Sequence, residues 1–136
     1  MFEFMYKLSR KSVVMNKLLQ FVYKCEIPRT AQIGSGVTFN HKGLGVVIHP
    51  NSQIEDNVYI EHHVCLGQRT GTDTAAPVVR KNTVIGAYSV ILGGEIGEGC
   101  VIGACSLVLH DVPAHTIFYN ERIEKTKENH KPIGQY

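Results

Sequence analysis

The feature that most constrains this chain is a period of six in its large apolar residues. They recur at Ile27, Ile33 and Phe39, then at Ile48, Ile54, Ile60 and Leu66. The series resumes at Val79, Ile85 and Ile91, and again at Ile96, Ile102 and Val108. Two steps are long, from 39 to 48 and from 66 to 79, and one, from 91 to 96, is short. Four residues after most of these positions stands a small or β-branched residue: Ala31, Val37, Ser52, Val58, Val64, Thr83, Ser89, Cys100 and Ser106. Glycine follows the large residue directly at Gly34, Gly67, Gly86, Gly97 and Gly103. A period of six suits neither a 3.6-residue helix nor a two-residue strand alternation. It suits short flat strands joined by tight corners, three strands to a triangular coil. The large residues then point inward and stack coil on coil, the small ones line the corners, and glycine supplies the backbone freedom a corner needs. Thirteen glycines and β-branched runs such as Val46-Val47-Ile48 argue against a helical middle. The expected fold is an all-β solenoid of about four coils, roughly 20 Å tall at about 4.8 Å per coil. So short a solenoid has flat sides and exposed ends that self-association would cover.

At 136 residues there is room for one domain with a short appendage at each end. The organisation reads as an amphipathic helical segment at 1–25, the β-helical domain at 26–123 and a polar tail at 124–136. With 43% hydrophobic and 19% charged residues the chain is not of disordered composition. A net charge of +2, with no basic cluster interleaved with aromatics, excludes nucleic acid as a partner. Cys25, Cys65, Cys100 and Cys105 show no metal-knuckle spacing and read as reduced thiols, with Cys100 at a small-residue corner. Lys7, Arg10, Lys11 and Lys17 interrupt any cleavable apolar leader, and no eighteen-residue apolar run exists to span a membrane. The expected location is cytoplasmic.

The repeats, with Glu26-Ile27-Pro28 through Phe39-Asn40-His41, then Gly45 to Pro50, "IGAYSVILGG" at 85–94 and "IGACSLVLHDVPAHT" at 102–116, resemble the hexapeptide-repeat acyltransferases. Within that superfamily the likeness is to serine acetyltransferase and its shorter relatives among surface-polysaccharide enzymes, over residues 26 to 123. The resemblance implies a left-handed parallel β-helix with a short N-terminal helix, a homotrimer with sites between subunits, and acetyl-CoA as co-substrate without a metal.

An alcohol attacks a thioester poorly while it keeps its proton, so O-acetyl transfer needs a base, and histidine suits the task near neutral pH. His41 opens the loop "HKGLG", where the period first breaks and side chains can leave the prism. By likeness to the family it is the catalytic base, with Glu26 as the carboxylate that orients it. The resemblance implies backbone donors for the oxyanion at Gly67 or Gln68. It also implies a pantetheine arm along Gly86, Ala87, Gly103 and Ala104. Lys125 could meet a CoA phosphate, against the reading that Lys125, Lys127 and Lys131 are simply a solvated tail.

The chain departs from the serine enzymes at the acceptor. Asn40 stands where they carry an Asp that holds serine, and Ala75 and Ala76 stand where an Arg-His pair precedes the re-entry proline. This directs the first choice of acceptor to a sugar hydroxyl on a glycan precursor, with serine second. Asn40, Arg69 and Asp73 are the candidate acceptor contacts, the last two in the insertion "QRTGTDTAAP" at 68–77. An inactive trimeric scaffold is the reading of another class.

The adjacent His62 and His63 are expected to face opposite sides of a strand. His110 and His115 lie past the last repeat and read as structural. Residues 4 to 24 are expected to form one amphipathic helix with Phe4, Leu8, Met15, Leu18, Leu19 and Val22 on one face. That helix either caps the base of the prism or lies on a membrane surface through its lysines.

Overall fold

The computed structural model describes residues 1–70 and 75–122. The chain opens with two helices, α1 (Phe2–Ser9) and α2 (Val13–Tyr23), packed against each other. The rest is a parallel β-solenoid whose strands form three sheets. The first sheet holds β1 (Gln32–Ile33), β4 (Gln53–Ile54), β7 (Val78–Val79) and β10 (Glu95–Ile96). The second holds β2 (Thr38–Phe39), β5 (Tyr59–Ile60), β8 (Val84–Ile85), β11 (Val101–Ile102) and β13 (Ile117–Phe118). The third holds β3 (Val47–Ile48), β6 (Cys65–Gly67), β9 (Val90–Leu92) and β12 (Leu107–Val108).

Every pairing is parallel and in register with the repeat. Phe39 lies beside Ile60, Ile60 beside Ile85 and Ile85 beside Ile102, while Ile48, Leu66, Ile91 and Val108 stack in the third sheet. These inward residues are almost wholly buried, each stabilising by about 1.5–3 kcal/mol relative to exposure. The small residues turn the corners beneath them, with Ser52, Val58, Val64, Thr83, Ser89 and Cys100 fully buried. Thr83 Oγ1 donates to the Gly97 carbonyl and Ser89 Oγ to the Gly103 carbonyl, so the corner hydroxyls also tie one coil to the next. Gly86 shows why glycine follows the large residue. A Cβ there would sit 2.5 Å from the amide nitrogen of Ala104 in the coil beside it. The short step after Ile91 is taken up by Gly93 and Gly94, both at φ 85, angles that suit glycine.

The helical segment corrects one expectation. It is not a single helix: the chain turns between Ser9 and Ser12, and the Ser12 side chain accepts a hydrogen bond from the Met15 amide to start α2. The break changes the phase of the pattern, so the buried apolar residues are Phe2, Met5 and Leu19, whereas Phe4, Leu18 and Val22 are exposed. The two helices cap the first coil. Phe2 and Tyr6 pack their rings against Phe39, Asn16 donates to the Ile27 carbonyl, and Arg10 donates to the carbonyls of Pro28, Arg29 and Ala31. Among the described residues no helix is long and apolar enough to cross a membrane.

The outward faces differ in character. The first sheet carries Gln32, Gln53 and an ionic clasp in which Arg80 donates to Glu55 and Glu95, both at 2.7 Å. The Arg80 guanidinium holds the Glu55 and Glu95 carboxyls below the usual glutamate range. The second sheet turns Tyr59, Val84, Val101 and Ile117 outward, and the third turns out Val47 and Leu107.

Candidate active site

The edge between the second and third sheets is built from equivalent corners: Asn40-His41-Lys42, Glu61-His62-His63, Gly86-Ala87-Tyr88 and Gly103-Ala104-Cys105. Lys42, His63, Tyr88 and Cys105 all adopt left-handed angles, at φ 60, 55, 60 and 56. Each corner therefore splays its side chains outward in the same way. In the first coil the corner is enlarged into a 3-10 turn, Asn40–Gly43, where His41 is itself left-handed at φ 49. Strained backbone of this kind collects where side chains are displayed for function.

His41 is well exposed, its side chain 64% accessible. Its Nε2 stands 4.0 Å from Oε2 of Glu61, a residue of the next coil. The other Glu61 oxygen accepts a 2.6 Å hydrogen bond from the Asn40 side-chain amide. His62 packs edge-on to His41 with ring centres 4.7 Å apart, and its Nδ1 lies 3.6 Å from Glu61 Oε2. His63 stacks on Tyr88 at 4.7 Å, and the His62 ring meets both of them edge-on, 5.6 Å from His63 and 5.3 Å from Tyr88. His62 and His63 thus stand together at a corner, not on opposite sides of a strand as their adjacency suggested.

Glu26 sits elsewhere in the first coil. Its backbone bridges Val47 at the foot of the third sheet, and its carboxylate makes no ion pair or hydrogen bond among the described residues. The carboxylate that faces His41 is Glu61. Spacing could not single it out, since the two belong to different coils.

The remaining candidates divide between two edges. Gly86, Ala87, Gly103 and Ala104 share the His41 edge. There the Ala87 carbonyl accepts from the Cys105 amide and the Ala104 carbonyl accepts from Arg122. Arg122 helps line a hollow with Ala104, Ser106, Tyr119 and Asn120. This cation lies beside the expected pantetheine track and was not picked out in the sequence; Lys125 lies outside the described residues. Gly67, Gln68 and Arg69 lie at the far end of the third sheet, where the chain leaves β6, and Asp73 lies outside the described residues. The Gly67 carbonyl accepts from the Gly93 amide. Burial raises the Cys65 thiol above its usual range on the sheet between the two edges.

This architecture, a left-handed parallel β-helix of hexapeptide repeats with a histidine displayed where its first corner widens, is that of the hexapeptide-repeat acyltransferases. Within that class the chain is serine acetyltransferase-like. It is 36% identical over 131 residues to a serine acetyltransferase of Buchnera aphidicola, a match that takes in 91% of this chain and 49% of that protein. A soybean serine acetyltransferase complexed with serine superposes with a TM-score of 0.69 at 38% identity, covering 76% of this chain and 44% of that one. A serine acetyltransferase of Brucella abortus in complex with coenzyme A gives 0.67 at 33% identity, covering 83% and 46%. The chain thus spans about half the length of these relatives. No protein-family model matches it.

Proposed function

We propose that the chain is an acetyl-CoA-dependent O-acetyltransferase that works as a cytoplasmic homotrimer, and that its acceptor is serine. The observation that carries the reading is the gap between His41 Nε2 and Glu61 Oε2. At 4.0 Å it is too wide for a direct hydrogen bond and sits at an exposed, strained corner. A small acceptor fits it by chemistry: its hydroxyl meets the imidazole and its ammonium meets the carboxylate.

The sugar reading rests on Asn40, which stands where the serine enzymes carry an acid, and on Ala75 and Ala76, which stand where they carry an Arg-His pair. Asn40 here holds Glu61 at 2.6 Å, so a carboxylate from the next coil supplies the missing charge at the same corner. The serine acetyltransferases to which the chain is similar support the same acceptor.

In the proposed reaction His41 Nε2 accepts the hydroxyl proton while the oxygen attacks the acetyl carbonyl. The tetrahedral oxyanion is met by backbone amides at Gly67 and Gln68. Collapse breaks the carbon–sulfur bond, and the imidazolium returns its proton to the departing thiolate, which leaves as coenzyme A. Acetyl-CoA would lie along Gly86, Ala87, Gly103 and Ala104, with Arg122 beside it. His41 and the Gly67–Gln68 end of β6 occupy different edges of one prism, which supports sites completed between neighbouring subunits. The exposed Phe4, Val14 and Phe21, alongside Lys7, Lys11, Lys17 and Lys24, support a peripheral membrane contact as a further partner.

The test is thiol release from acetyl-CoA with serine and with a panel of sugars and nucleotide-sugars, wild type beside His41→Ala. Release with serine that falls by about 10²–10⁴ in the variant is the expected result. Release with a sugar and not with serine would overturn the acceptor. No release with any acceptor, and no coenzyme A binding by calorimetry, would leave a trimeric scaffold.

A further inference from the structure

At the His41 corner three side chains from two successive coils converge more closely than proton transfer requires. His41 Nε2 and His62 Nδ1 stand 4.0 and 3.6 Å from the same oxygen, Glu61 Oε2, and one ligand atom from each of the three residues lies within 4.8 Å of the others. Asn40 holds the other Glu61 oxygen, which fixes the carboxylate so that Oε2 faces both imidazoles. His62 Nδ1 is shut off from solvent and makes no hydrogen bond, a costly state for a ring nitrogen without a ligand.

Two imidazole nitrogens and one carboxylate oxygen, with a fourth position open, form a donor set for a borderline-soft divalent cation. Two ligands about 2.1 Å from one ion at a tetrahedral angle stand about 3.4 Å apart. The 3.6 Å separation already fits, and the exposed His41 ring is free to close the wider one. Three other described histidines have partners of their own: His49 Nδ1 accepts from the Asn51 amide, His110 Nδ1 lies 3.0 Å from the Asp111 carbonyl, and His63 stacks on Tyr88.

We propose that this corner binds a zinc-class divalent cation through His41 Nε2, Glu61 Oε2 and His62 Nδ1, and that the ion switches the centre off. The binding half stands on the geometry alone; the inhibitory half rests on the reading of His41 as the base. With metal bound, the lone pair that would take the acceptor's proton is donated to the ion. The Glu61 charge that would hold an ammonium is neutralised in the same step. Metal and acceptor therefore compete for one gap.

The experiment is equilibrium dialysis of the full chain against zinc chloride, with bound metal counted by mass spectrometry, followed by thiol-release assays across a zinc titration. One ion per chain is expected, lost in Glu61→Gln and in His62→Gln while circular dichroism stays unchanged. Inhibition should be competitive with the acceptor and reversed by EDTA. His62→Gln should raise the half-inhibitory zinc concentration about tenfold or more, judged against its own metal-free rate. An ion bound by wild type and lost in His62→Gln, with no transfer to any acceptor, would uphold the metal site and sink the transferase reading. No bound ion, or one that survives both substitutions, would overturn the metal site, and metal-free transfer would still stand.

Discussion

Glu61 turns one oxygen to Asn40 and the other into the gap beside His41, with about a quarter of its side chain in water. If that free oxygen grips an acceptor ammonium, Glu61→Gln keeps the shape and removes the charge. A hydrogen bond to a charged group contributes about 1.5–3 kcal/mol, so KM for serine should rise roughly 10- to 150-fold while kcat and KM for acetyl-CoA change little. A fall in kcat with KM intact would mean that Glu61 instead sets the state of the His41 ring. His41 was legible because it stands where the period breaks. Glu61 and His62 were not, because a period says which residues turn inward and is silent on how corner residues of two coils meet. The expected partner, Glu26, lies a coil below them, its backbone bridged to Val47.

At the scale of elements, the strands were legible almost to the residue and the helices were not. Inward positions repeat coil after coil, and each repeat supports the assignment of the next. The helical segment offers a single pass, and its stripe keeps phase only if no break falls within it. Ser12 supplies the break. The consequence is measurable. Leu19 is fully buried against the first coil, so Leu19→Ala should cost about 2–5 kcal/mol in urea unfolding. Phe4, on the stripe expected to be buried, is 68% exposed, and Phe4→Ser should change stability by less than about 0.5 kcal/mol. Equal losses for the two substitutions would mean that the outer stripe is covered by another subunit, and the cap would then be part of an interface.

For the whole molecule, the distribution of outward residues bears on assembly. The sheets that flank the His41 edge are the two with apolar outer faces, whereas the sheet opposite that edge carries glutamines and the Arg80 clasp. Burying Tyr59, Val84, Val101 and Ile117 against a neighbour would remove apolar surface from water and bring the His41 edge of one chain toward the Gly67–Gln68 end of β6 in the next. Val101 lies within that ladder between Val84 and Ile117, so Val101→Lys places an unpaired charge where contact is expected without touching the core. Sedimentation velocity should show a trimer in wild type and a monomer in the variant, with the β-sheet signal in circular dichroism unchanged. Activity should fall with the trimer by about 100-fold or more, because a shared site loses the geometry that aligns thioester, base and oxyanion donors. A folded monomer that keeps the wild-type rate would show that one chain holds the complete centre. The donors at Gly67 and Gln68 would then have to give way to amides on the His41 edge itself.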